Sequence, residues 1–164
     1  VPHAADDDYI AQMAKLFHEQ LDPDLDLYLE YTNEIWNDGF EQAQWLKGKG
    51  PNFGGEWTAN RMKFVWQTWR KVWGKDSLRV KRVIASQTYQ LPWMNRWLNH
   101  LKKGDFDFMA TTWYFGVAGS DLASSITATA NDWRTSQSPL HRQYAALAKR
   151  YNAKLICYEG GGSI

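Results

Sequence analysis

Helical and strand periods alternate along the chain. Ile10, Met13, Ala14, Phe17 and Leu21 recur at helical spacing behind Asp7, which is suited to cap a helix over about 8–20. Pro23 breaks that pattern. In the stretch 25–31, Leu25, Leu27, Leu29 and Tyr31 fall on one face, and Tyr28 interrupts the polar face. This reads as a strand that ends at Thr32-Asn33-Glu34. The segment 35–58 contains a short helix near 40–46 and then becomes glycine-rich. Helical spacing returns over 59–73, where Met62, Val65, Trp66, Trp69, Val72 and Trp73 form one stripe before Gly74. Those three tryptophans read as core. A strand at 80–86 follows, then a helix from Pro92 to about 103 carrying Trp93, Met94, Trp97, Leu98 and Leu101. A third strand covers 106–112. The polar stretch 116–137 reads as a loop. Ser138-Pro139 opens a helix with Leu140, Tyr144, Leu147, Ala148 and Tyr151 on one side, and the last strand, 154–158, carries Glu159 at its tip.

Strands that alternate with helices imply a parallel sheet with right-handed crossovers. The runs Val83-Ile84-Ala85 and Leu155-Ile156-Cys157 suit strands covered on both faces, which makes Cys157 a buried, inert thiol. There is no phosphate-binding glycine loop after any strand.

The 164 residues, 44% of them apolar, suffice for one domain with a real core. With 19 basic and 18 acidic residues spread along the chain, no basic stripe points to nucleic acid. No apolar run is long enough to span a membrane. The chain opens Val1-Pro2-His3, without Met or signal-peptide pattern, and reads as a mature product or a piece of something longer. The aromatic share of 15% is a functional hint, since ring faces stack on sugars, although most such rings belong to cores.

The candidate chemistry lies in two glutamates. Glu34 ends the first strand in Glu-Tyr-Thr-Asn-Glu-Ile-Trp-Asn, residues 30–37, and Glu159 ends the last in Tyr158-Glu159-Gly160-Gly161. In a parallel sheet both strand ends face one rim. Two carboxyl groups on one cleft are what glycosidic cleavage needs: one protonates the leaving oxygen, and the other supports the sugar carbon as it loses electrons. Asn33-Glu34 ending one strand, and Glu159 ending another three βα units later, resemble clan A retaining glycoside hydrolases.

That resemblance implies a partial (β/α)8 TIM barrel holding strands 4 to 7. It implies Glu34 as acid/base, Glu159 as nucleophile and Asn33 as a ligand of the sugar 2-hydroxyl. It implies a polysaccharide or oligosaccharide substrate, no cofactor, and a secreted or periplasmic setting. The exposed sheet edges of a half-barrel call for the remainder of the barrel or a second copy of the chain.

Other residues have two readings each. Trp36 is a wall of the site or a packing residue. Trp113 and Tyr114, just past the third strand, should face the mouth as sugar contacts or pack at the strand end. Gln87, ending the second strand, is a polar contact candidate. Tyr158 should turn away from the carboxylates into the core. Trp45, Phe53, Trp57 and Trp133 lie in the two long segments and are either stacking platforms or anchors. His3 is a weaker site candidate; His18, His100 and His141 read as surface or satisfied helix residues. No histidine, cysteine and carboxylate spacing suggests a metal. The competing functional classes are a carbohydrate-binding or scaffold half-barrel without turnover, and a half-barrel whose role is assembly.

Overall fold

The computed structural model describes residues 1–162, without the side chain of Phe53, so the Phe53 stacking candidate lies outside the described residues. Four parallel strands form a curled half-barrel in the order β1 (Leu27–Glu30), β2 (Val80–Ser86), β3 (Phe108–Phe115), β4 (Lys154–Gly162). The register runs Leu27 to Val80, Val83 to Phe108 and Phe108 to Lys154. The helices are α1 (Asp7–Gln20), α2 (Glu41–Lys47), α3 (Pro51–Trp73), α4 (Leu91–Leu98), α5 (Leu122–Asp132) and α6 (Ser138–Arg150). Among the described residues no helix is long and apolar enough to cross a membrane.

The tryptophan stripe of α3 is core, as its spacing predicts. Trp66, Trp69 and Trp73 are each 1% exposed. Two of these indoles also satisfy backbone carbonyls of neighbouring elements. Trp66 Nε1 donates to Leu29 O at 3.2 Å, tying α3 to β1. Trp73 Nε1 donates to Ala14 O at 3.0 Å, tying α3 to α1. A buried indole N–H left without a partner costs free energy, so these bonds fix the packing as well as fill it.

Several boundaries differ from expectation, each for a local reason. The cap of α1 is Asp6, whose carboxylate accepts from Tyr9 N at 2.7 Å, one residue before the expected Asp7. Helix α3 starts at Pro51 and takes in Gly54 and Gly55, two of the glycines that suggested a loop. A Cβ on Gly55 would press on the Arg96 carbonyl at 3.2 Å, so the glycine there serves close approach of α3 to α4. The polar segment 116–137 contains α5. A reciprocal cap starts it: Asp121 accepts from Ser124 N at 2.8 Å, and Ser124 Oγ accepts from Asp121 N at 3.0 Å. A π-helical turn, Trp133–Gln137, joins it to α6. Cys157 is exposed, not buried, because β4 is the outermost strand of the sheet. His141 is buried, with neither ring nitrogen hydrogen-bonded, and its ring lies 4.5 Å from Trp113 and 5.4 Å from Trp133.

At the amino ends of β2 and β3, Asp107 gathers two arginines. Arg82 grips both carboxylate oxygens, at 3.0 and 2.7 Å, and its backbone N–H donates at 2.9 Å. Arg70 adds a bond of 2.8 Å. Partial burial opposes ionisation of Asp107, but the hydrogen bonds from Arg82 and the charge of both arginines outweigh it and hold the carboxyl below its usual range. A depressed carboxyl contributes stability above its unfolded pKa, about 3.9, and loses it as pH falls through the lower folded value. Asp107→Asn is therefore expected to lower unfolding free energy at pH 7 by about 1.5–3 kcal/mol in denaturant titrations. The gap to the unaltered chain should close in the acid range below about pH 4.

Candidate active site

All four strands deliver residues to a cleft of about 530 Å³ at their carboxyl ends. The turn after β1 supplies Glu34, Trp36, Asn37 and Asp38. The segment after β2 supplies Gln87, Gln90 and Trp93. Strand β3 supplies Thr112 and Tyr114, and β4 supplies Glu159. The two glutamates singled out from sequence thus line one cavity.

The chain leaves β1 through a cis Tyr31–Thr32 peptide, and Glu34 itself has φ 42°. A left-handed backbone is uncommon outside glycine and asparagine, and where it occurs the surroundings must enforce it. Here the surroundings are specific. Gln42 Nε2 donates to Asn33 O at 2.7 Å, and Asn37 N donates to Glu34 O at 2.9 Å. Asn37 Nδ2 donates to Glu34 Oε2 at 3.0 Å, so the turn also orients the carboxylate.

Glu159 owes its direction to a bulge. Thr111 pairs with Cys157 and Trp113 with Gly160, so Tyr158 and Glu159 together oppose Thr112. The extra residue disturbs the in–out alternation of the strand. Tyr158, expected in the core, instead sends its hydroxyl to Asn33 Oδ1, and its ring meets Trp36 edge-on at 5.7 Å. Gly160 then runs so close to Trp113 that a Cβ would collide with the Trp113 carbonyl oxygen. Across the cleft, Tyr114 donates to Glu159 Oε1 at 2.6 Å. That hydrogen bond is the main cause holding the Tyr114 phenol above its usual pKa, so the hydroxyl remains a donor.

The expected site residues divide as follows. Glu34, Glu159, Trp36, Gln87 and Tyr114 line the cleft. Trp36 is both wall and packing residue, at 6% exposure. Asn33 is exposed beside the cleft and engaged by Tyr158. Trp113, expected at the mouth, packs on His141 and donates to Thr111 Oγ1 at 3.0 Å, because the strand alternation that puts Tyr114 on the cleft puts Trp113 on the opposite side. Trp45 and Trp57 meet each other edge-on at 5.1 Å, with His3 against Trp45 at 5.3 Å, and Trp133 lies against Trp113 at 6.4 Å. None of these lines the cleft, which takes Trp93 instead. Sequence reasoning placed Trp93 on the core stripe of its helix. Its position one residue past Pro92, in the first turn after a strand end, was the available signal. Asp38 and Gln90 were missed for want of any pattern.

Glu30 is a third carboxyl on the concave face, where it shares a cavity with Tyr28, Val83 and Tyr158. Part of its surface reaches solvent, yet burial raises its pKa to about 8, the nearby Val1 ammonium opposing and Glu34 adding to the shift. Among the described residues no group of histidine, cysteine and carboxylate side chains is arranged to hold a metal ion.

No protein family model, no curated protein and no solved structure matches this chain. The fold and cleft define a parallel α/β half-barrel with an acidic, hydrogen-bonding cavity at its carboxyl rim.

Two outcomes follow from this geometry. A carboxyl whose folded pKa is raised contributes stability fully below its unfolded value, about 4.3, and loses it as pH rises through the folded value. Glu30→Gln should therefore raise the thermal midpoint at alkaline pH and leave it unchanged near pH 4, a contrast readable by calorimetry across that range. Gly160→Ala should push β4 away from Trp113; lost amide-exchange protection at residues 113–115 and 160–162 checks it.

Proposed function

We propose that the chain carries the catalytic carboxylates of a retaining glycoside hydrolase acting on a polysaccharide or oligosaccharide. One observation carries this reading: Glu34 and Glu159, from the two outermost strands, line a single cleft at the carboxyl rim of a parallel half-barrel. Active sites of (β/α)8 barrels lie at that rim.

The cleft chemistry suits an uncharged polyol that becomes cationic in the transition state. Asn37, Gln87, Gln90, Thr112 and Tyr114 offer hydrogen bonds to hydroxyl groups. Trp36 and Trp93 offer ring surface, and among the described residues the lining side chains include three carboxylates and no cation. Such a lining favours positive charge on a sugar ring and repels phosphates.

In this mechanism Glu34 donates its proton to the leaving oxygen while a Glu159 oxygen bonds to the anomeric carbon, breaking the glycosidic bond. Tyr114 orients the attacking carboxylate. Glu34, now ionised, then takes a proton from water, whose oxygen displaces Glu159 and leaves the sugar with its original configuration. Asn33 contacts the 2-hydroxyl, and the sheet's open edges are met by the remainder of the barrel or a second copy of the chain.

A panel of nitrophenyl glycosides tests the reading. Glu159→Gln should abolish turnover while sugar binding, measured by calorimetry, persists. Glu34→Gln should lose about 10²–10⁴-fold on substrates with poor leaving groups and much less on activated ones. Anomeric inversion seen by NMR, or full turnover by Glu159→Gln, would sink it.

A further inference from the structure

We propose that Tyr158 is a positioning residue that sets the Asn33–Glu34 turn against Glu159 through the hydrogen bond from its hydroxyl to Asn33 Oδ1. This deepens the glycosidase reading and rests on it. The need for such a tie comes from the sheet order. Strands β1 and β4 are its two ends, so no backbone hydrogen bond joins them, yet each carries one of the two carboxylates. Their spacing depends on two intervening strands and on side chains that reach across the concave face.

Tyr158 is placed to make that reach. It lies two residues past Ile156 and shares with it the concave-face cavity that reaches Tyr28 and Glu30 of β1, while its neighbour Glu159 enters the cleft. Its ring meets Trp36, two residues past Glu34, at 5.7 Å and 78° between planes, and its hydroxyl meets Asn33, one residue before Glu34. The turn is thus held on both sides of Glu34 by one side chain from the strand of Glu159. Burial first, and then the charges of Glu30, Glu34 and Glu159, keep the phenol protonated, so it stays a donor. With Oδ1 of Asn33 accepting from Tyr158, the Asn33 amide N–H groups are left to donate, the polarity a sugar hydroxyl oxygen requires.

Tyr158→Phe keeps the ring and its contact with Trp36 and removes only the hydroxyl. On a nitrophenyl glycoside it should lower kcat by up to about 100-fold, with KM and thermal midpoint little changed. In a double variant with Asn33→Ala it should add little to the loss from Asn33→Ala alone. Amide exchange over residues 32–37 should quicken in Tyr158→Phe, a readout that needs no turnover. An unchanged kcat in the folded variant, additive losses in the double variant, or unchanged exchange over 32–37 overturns the proposal. If the unaltered chain, assembled with a second copy or with the remainder of the barrel, cleaves no glycoside, the glycosidase reading fails, and the exchange measurement still decides whether the hydroxyl holds the turn.

Discussion

A helix that carries the chain back to the same end of a sheet makes successive strands point the same way, and every strand then finishes at one rim. Here that constraint gathers at one rim Glu34 and Gln87, just past β1 and β2, and Tyr114 and Glu159, near the ends of β3 and β4, although they are widely separated in sequence. The crossovers hold because α3 has a dense apolar stripe. Trp66 and Trp73 fill space and bond to Leu29 and Ala14, so this long helix is keyed both to the first strand and to α1.

The two glutamates are oriented by different local devices. Glu34 sits on a left-handed backbone held by Asn37 from its own loop and by Gln42 from α2. Glu159 sits on a bulge stabilised by the close passage of Gly160 over Trp113 and faces the Tyr114 hydroxyl. Two chemically identical groups thus sit in different hydrogen-bonding surroundings on one cleft.

The hydrophobic period made most of the scaffold legible. The stripe of α3 and the limits of β2 follow from it directly, since long apolar repeats and short apolar runs are dictated by burial. What stayed hidden depended on polar or tertiary detail. Helix α5 rests on a cap between Asp121 and Ser124, and its few large apolar side chains, Leu122 and Ile126, stay exposed among serines and threonines. The start of α3 rests on glycines that normally signal turns and here admit Arg96. Glu34 and Glu159 could be read because strand ends of a parallel sheet are predictable. Tyr158 and Trp113 could not, because which face of β4 and of β3 is turned toward the helices is decided by tertiary packing. Trp93 was obscured by a helical spacing that fits both the core and the cleft.

The Asp107 cluster with Arg70 and Arg82 lies at the amino ends of β2 and β3, while the cleft occupies the opposite rim. The half-barrel therefore keeps its anchor and its working surface on separate floors. Substitutions that remodel the upper loops leave the charged clamp below untouched, so the rim can change without loosening the frame. Such a division lets the lining of the cleft vary while the same strands go on presenting it.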